Sequence, residues 1–188
     1  MKIIVAITGS SGAVYALDFL KQSNAEKYLV VSKWGKALLK DELNITEKEL
    51  QPYIKRQFSN DDLAAPIASG SNHFDACVIL PCSTSTLGKI ASGIGDTLIT
   101  RAAQVAMKER FKLILCIRET PLSTVSLEQC ALLSRHGFAQ CCNQPSDESE
   151  GGADRRRLNR GRLAPILCSQ RRSQARRSTA GVARHGVA

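Results

Sequence analysis

The chain has 188 residues, 26 of them Lys or Arg and 17 Asp or Glu, a length that fits one domain of ordinary size with a full hydrophobic core. Hydrophobic residues at 43% exclude a wholly disordered chain, and aromatics at 5% argue against a surface built for base stacking. The net charge of +9 does not by itself define a nucleic-acid binder: residues 1–137 hold 16 basic and 13 acidic groups, whereas residues 138–188 hold ten arginines, no lysine and four acidic groups.

No apolar run approaches the ~20 residues of a membrane helix. Met1–Thr8 lacks the separate charged, apolar and cleavage regions of a signal peptide. The seven cysteines (Cys77, Cys82, Cys116, Cys130, Cys141, Cys142, Cys168) are odd in number and have no zinc-type spacing. Cys77 and Cys116 fall inside apolar runs and read as small buried hydrophobes. A reducing cytoplasm is the expected compartment, with no membrane, nucleic acid or metal involved.

In chain order, Lys2–Ile7 predicts a buried strand, Gly9–Gly12 a turn, and Ala13–Gln22 a helix with Ala13, Leu17 and Leu20 on one face. Tyr28–Val31 predicts a second strand and Lys33–Leu43 a second helix. Asn44–Asn72 is polar and irregular, with short helical possibilities. Ala76–Leu80 predicts a third strand, Thr84–Ser92 and Thr97–Arg110 two helices, Lys112–Ile117 a fourth strand, and Val125–His136 a helix closed by Gly137. Continuous apolar strands alternating with helices predict an α/β fold of Rossmann-like or flavodoxin-like type, three layers around a parallel sheet. After Gly137 the pattern stops. The expected organisation is a domain over residues 1–137 and an Arg-rich, disordered tail over 138–188.

In open α/β sheets, ligands bind beyond the carboxyl ends of the strands, and each predicted strand here ends in a polar or glycine segment. The first gives Thr8-Gly9-Ser10-Ser11-Gly12-Ala13, where amides at the start of the following helix favour a phosphate; an ordinary strand–helix turn has the same residues. The second ends at Ser32-Lys33, where serine also serves as a helix cap. The third ends at Ser83-Thr84-Ser85-Thr86, four hydroxyls suited to wrapping an anion, although capping needs only one. The fourth ends at Arg118-Glu119: arginine can hold a phosphate or stack on a planar ring, glutamate can relay protons, and the two can equally form a surface ion pair. Arg101 and Lys108 supply further charge, or simply a solvated helix face. Together these strand ends favour a phosphate-bearing planar cofactor.

TGSSGA at 8–13, SGS at 69–71, PCSTSTL at 81–87, ITRAAQVAMKER at 99–110 and RETPLSTVSLEQ at 118–129 closely resemble, in order and spacing, the UbiX-type flavin prenyltransferases. The resemblance covers about residues 1–137. It implies FMN binding and transfer of a prenyl group from dimethylallyl phosphate to N5 and C6 of reduced FMN, without a metal. The product passes to a UbiD-type decarboxylase in ubiquinone synthesis or aromatic-acid decarboxylation. It implies flavin contacts from Gly9, Ser10, Ser11, Ser32, Ser83, Thr84, Ser85, Thr86 and Arg118. Ser69, Gly70, Ser71, Arg101 and Lys108 are implied on the substrate side, and Glu119, Lys108 and Ser11 in catalysis. It also implies a homo-oligomer, usually a dodecamer, with sites at subunit interfaces.

The family continues after the last helix with a short apolar strand, a Pro-Ala-Phe-Tyr-like segment and an amphipathic helix, which supply a tyrosine and a basic residue to the substrate phosphate. Residues 138–188 contain no tyrosine. The switch from lysine to arginine reads as a change of translational frame near residues 129–143, which the underlying DNA tests directly. A tail acting as a nucleic-acid arm is the rival reading, weakened by the single aromatic Phe138 and by the lack of a fold motif.

Two alternatives to the transferase stand beside it. One is an FMN-binding protein that has lost transfer activity with its terminal region. The other is an NAD(P)-dependent dehydrogenase using the Gly9–Gly12 turn, but Ser32-Lys33 stands where an acidic ribose anchor belongs, and a Tyr-x-x-x-Lys pair is missing.

Overall fold

The computed structural model describes residues 1–135 and 139–142. Among these residues six parallel strands form one sheet: β1 (Lys2–Ile7), β2 (Glu26–Val31), β3 (Arg56–Ser59), β4 (Ala76–Cys82), β5 (Lys112–Ile117) and β6 (Ala139–Cys142). Their spatial order is β3-β2-β1-β4-β5-β6. The chain builds outward from β1 on one side, then crosses to lay β4 beside β1. The order therefore reverses between β1 and β4, which is where open α/β sheets open a crevice.

Five α-helices of the described residues cover the sheet: α1 (Ala13–Gln22), α2 (Lys33–Leu43), α3 (Thr84–Ala91), α4 (Leu98–Lys108) and α5 (Thr124–Arg135). Alternate residues of each strand enter opposite cores, as the two-residue strand period requires. Ile3, Val5 and Ile7 pack with Ala13, Ala16, Leu20 and Leu39 of α1 and α2. Ile4 and Ala6 pack on the other face with Leu87, Ile90, Ala102, Ala103 and Ala106 of α3 and α4, and with Cys130 and Leu133 of α5. Burial on both faces explains why these strands read as unbroken apolar runs. Cys77 and Cys116 are buried thiols, as expected.

The five predicted helices all form. Thr84–Ser92 ends one residue early, at Ala91, and Thr97–Arg110 begins at Leu98, after its cap Thr97, and ends at Lys108. Two strands were not expected. In Arg56–Ser59 only Phe58 is buried, and the segment pairs with β2 through Tyr28↔Arg56 to Val31↔Ser59. One apolar residue in four leaves no alternation to detect. Short turns of 3-10 helix at Glu47–Tyr53 and Pro66–Ala68 complete the stretch read as irregular. The sixth strand pairs with β5 from Ile114↔Ala139 to Ile117↔Cys142. It lies past residue 137, where the periodic pattern had been expected to stop. Gly137 and the tail residues 143–188 lie outside the described residues.

Candidate functional site

The carboxyl edge of the sheet is knitted together by Thr8. This residue is 2% exposed. Its Oγ1 donates to Pro81 O at 2.8 Å and accepts from Ser83 N at 2.8 Å, while its own amide donates to Pro81 O at 3.2 Å. The end of β1 is thereby fixed to the start of α3. Two residues on, Ser10 Oγ donates to Arg118 O at 2.8 Å, and Arg118 N donates to Cys82 O at 3.4 Å. Ser32 N donates to Ile7 O at 2.9 Å. The ends of β1, β2, β4 and β5 thus converge, bringing Gly9, Ser10, Ser11, Ser32, Ser83–Thr86 and Arg118 to one side of the switch point.

Within this group the hydroxyls divide. Ser32 Oγ accepts from Gly35 N at 3.0 Å and caps α2. Ser83 Oγ accepts from Thr86 N at 3.3 Å and lies 3.0 Å from Thr86 Oγ1, capping α3. Thr84 and Ser85 stand outside that capping pair. Gly9 and Ser11 are exposed on the first turn, whose last residue, Gly12, has φ 107°, a conformation that disfavours any residue with a Cβ.

One expectation is overturned here. The amides at the start of α1 do not await a phosphate. Glu42, in the last turn of α2, already takes them: its Oε1 and Oε2 accept from Gly12 N at 3.1 and 3.0 Å, and Oε2 accepts from Ala13 N at 2.8 Å. A carboxylate is well placed at a helix amino terminus on electrostatic grounds. Nothing in the reading of the strand ends identified Glu42. A signal existed: α1 begins at Gly12-Ala13 without a side-chain cap, so its first amides needed an acceptor from elsewhere. The same carboxylate lies where the pyrophosphate of a dinucleotide would rest in a sheet of this strand order.

Arg118 is half-buried at the end of β5, and its Nε is fully buried without a hydrogen-bond partner among the described residues. Buried guanidinium N–H groups are nearly always paired. This one, at the crevice, suits a ligand that brings an acceptor into a planar slot, and so fits a flavin. The surface ion pair with Glu119 does not form among the described residues. Glu119 is exposed immediately beyond.

The second set of expected residues lies along α4 and the loop ahead of β4. Asn60 ties the loop after β3 to α4: its carbonyl accepts from Leu98 N at 2.7 Å and its Oδ1 from Ile99 N at 3.2 Å. Arg101 Nε donates to Ala68 O at 3.1 Å. Ser69 shapes the next turn, accepting from Ser71 N through Oγ at 3.3 Å and from Asn72 N through its carbonyl at 3.3 Å. Lys108 is exposed and forms an ion pair with Glu109. The Ser69–Ser71 turn leads into the amino end of β4, whereas Ser83 follows its carboxyl end. Seven residues of β4 extend about 23 Å. The single chain brings Gly9, Ser10, Ser11, Ser32, Ser83–Thr86 and Arg118 to the carboxyl edge of the sheet, and it joins Arg101 to the loop that carries Ser69–Ser71.

The chain is similar to known flavoproteins. The Flavoprotein family matches residues 1–151. The flavin prenyltransferase UbiX of Methanocaldococcus jannaschii is 45% identical over 139 residues, 73% of this chain and 76% of that protein. The mitochondrial flavin prenyltransferase PAD1 of Saccharomyces cerevisiae is 41% identical over 139 residues, 72% of this chain and 57% of that protein. Among solved structures, AnUbiX (PadA1) in complex with FMN and dimethylallyl pyrophosphate superposes with a TM-score of 0.75 at 36% identity, covering 81% of this chain and 82% of that one. A dodecameric FMN-dependent UbiX-like decarboxylase from Escherichia coli O157:H7 gives 0.75 at 37% identity, covering 81% and 86%.

Proposed function

The chain belongs to the UbiX-type flavin prenyltransferases of the Flavoprotein family, and from that premise we propose that it transfers a dimethylallyl group from dimethylallyl phosphate to reduced FMN. The observation that carries this reading is the buried, unpartnered Arg118 Nε at the crevice between the ends of β1, β4 and β5. Gly9, Ser10, Ser11, Ser32, Ser83–Thr86 and Arg118 hold the flavin. When bound, reduced FMN supplies the electron-rich ring that is alkylated at N5 and C6.

The remaining chemistry belongs to side chains of this protein. Breaking the allylic C–O bond leaves negative charge on the departing phosphate, and Arg101 and Lys108 stabilise it as fixed cations. Ser69, Gly70 and Ser71 wall the prenyl group. Ser11, exposed on the first turn, would act beside the reacting groups. Ring closure at C6 releases a proton, and the Glu119 carboxylate takes it up from its exposed position at the end of β5.

The Ser69–Ser71 turn precedes β4 and Ser83–Thr86 follows it, and we infer that the site is completed between copies. A homo-oligomer of the dodecameric kind brings the Arg101–Lys108 edge of one copy to the Arg118 crevice of another. The product then passes to a UbiD-type decarboxylase serving ubiquinone synthesis or aromatic-acid decarboxylation, in the cytoplasm. Among the described residues no helix is long and apolar enough to cross a membrane.

Equilibrium titration separates this reading from its rivals. FMN quenching with no response to NAD(P) supports the flavin site; binding of NAD(P) in preference to FMN would overturn it. Retention of FMN without turnover of dimethylallyl phosphate would favour an FMN-binding protein that has lost transfer.

A further inference from the structure

Where the loop ahead of β4 passes the end of α4, Glu109 makes two contacts at once. Its Oε1 pairs with Lys108 Nζ, and the same oxygen fills the space that a Cβ on Gly70 would need. One turn of the loop away, Arg101 Nε holds Ala68 O at 3.1 Å. Glu109 is thus the atom-level link between the cation at 108 and the glycine of the Ser69–Ser71 turn, and it was not among the residues expected at the site. Arg101 and Lys108, seven residues apart, lie on one face of α4, about 10 Å apart along its axis.

We propose that Glu109 is a positioning residue for the substrate phosphate, and that Gly70 lacks a side chain so that Glu109 can occupy this place. The inference rests on the transferase reading above. A free lysine ammonium on a four-carbon stem loses much rotamer freedom when it binds a phosphate. The Glu109 carboxylate holds it beside the turn beforehand, and two of the three ammonium hydrogens remain to donate to a phosphate. The carboxylate also repels the incoming phosphate, and a positioning role requires the ordering of Lys108 to outweigh that repulsion.

The substitutions Glu109→Ala, Glu109→Gln, Gly70→Ala and the double Gly70→Ala/Glu109→Ala test this. The primary readout is calorimetric binding of dimethylallyl phosphate to FMN-loaded protein. KM, kcat, FMN affinity and thermal midpoint are measured alongside. Glu109→Ala weakens dimethylallyl phosphate binding and raises its KM by about three- to fivefold, the scale of an exposed ion pair, with kcat and FMN affinity unchanged. Glu109→Gln, which keeps the reach and an acceptor for Lys108, restores binding to within about twofold of wild type. In Gly70→Ala the new methyl displaces the flexible end of Glu109 and reproduces the Glu109→Ala loss. The double variant is no worse than either single one, because both remove the same contact.

Equal or tighter binding by Glu109→Ala would overturn the proposal, showing that Glu109 merely competes for Lys108. A parallel fall in kcat, FMN affinity and thermal midpoint would overturn it in favour of a general folding role. If wild type binds dimethylallyl phosphate yet forms no adduct, the transferase reading fails, while the binding series still decides for or against Glu109. If wild type fails to bind dimethylallyl phosphate, the positioning role falls as well.

Discussion

Ser10 Oγ donates a 2.8 Å hydrogen bond to the carbonyl of Arg118, joining the first turn of the chain to the end of its fifth strand across a separation of 108 residues. The bond fixes the backbone of Arg118 and so aims the guanidinium whose Nε lies buried and unpartnered. Removing the hydroxyl in Ser10→Ala frees that carbonyl at a part-buried position. A neutral hydrogen bond is worth about 0.5–1.5 kcal/mol, so FMN affinity should fall roughly two- to tenfold. Arg118→Ala, which removes the ligand contact itself, should cost more than Ser10→Ala. Fluorescence titration with FMN measures both, and equal affinities across the three proteins would refute the assignment.

Thr8 offers a test of the fold beneath the site. Thr8→Val keeps the shape of the side chain but strands Ser83 N, held at 2.8 Å, and leaves Pro81 O with the Thr8 amide alone. A buried polar group left without a partner costs about 1–3 kcal/mol. Urea unfolding should show a loss in that range, and an unchanged midpoint would show that water replaces the hydroxyl.

The clasp of Glu42 on Gly12 N and Ala13 N makes a separate prediction. Glu42→Ala leaves the start of α1 without an acceptor and should destabilise the protein by about 1 kcal/mol, the usual loss on removing a helix cap. Because the same contact sets the Gly9–Gly12 turn, FMN affinity should fall with it. A stable variant with native flavin affinity would show that the turn holds without Glu42.

Glu119 is exposed just past the end of β5, directly after Arg118. Glu119→Gln should slow adduct formation about hundredfold, the usual scale of a lost general base, while FMN binding stays intact. Loss of FMN binding instead would move Glu119 from proton transfer to cofactor contact.

Burial of Cys77 pushes its thiol up to about 12, and burial followed by the neighbouring Cys130 and Cys77 raises Cys82 further. A raised thiol stays protonated and unreactive at neutral pH, since only the thiolate attacks alkylating agents. Peptide mapping after iodoacetamide treatment at pH 8 should find Cys77 and Cys82 unmodified in the native protein and modified in urea. Labelling of either without denaturant would contradict their place in the core.

Much of this architecture could be read from the chain. Strands such as Ile3–Ile7 and Ala76–Cys82 are apolar throughout because helices cover both faces, and that signal needs no tertiary knowledge. Arg56–Ser59 escaped because a short strand with Phe58 as its one buried side chain is specified by its neighbour β2 rather than by its own pattern. The hydroxyl and glycine segments at the strand ends were legible for the same reason the fold was: strand ends are where such sheets bind ligands. What the sequence hid were contacts between distant segments. Glu42 reaches Gly12 across 30 residues, Asn60 clasps Ile99 across 39, and Glu109 meets Gly70 only once the loop is folded onto α4.

Completion of the site between copies, as proposed, predicts complementation. Arg118→Ala disables the crevice and Lys108→Ala disables the basic edge, so each homogeneous variant should be impaired. Co-assembled copies carry some sites built from one intact crevice and one intact edge. Mixed oligomers should therefore regain part of the wild-type activity, and failure of properly mixed oligomers to do so would place both groups in the same copy's site.

The most direct test of the whole account is a mass measurement on the small-molecule product. The purified chain is incubated anaerobically with reduced FMN and dimethylallyl phosphate, and the released flavin is analysed by mass spectrometry. The account predicts FMN carrying one additional five-carbon prenyl unit, formed in step with release of inorganic phosphate. Unmodified FMN from a protein that demonstrably binds both reactants would contradict it.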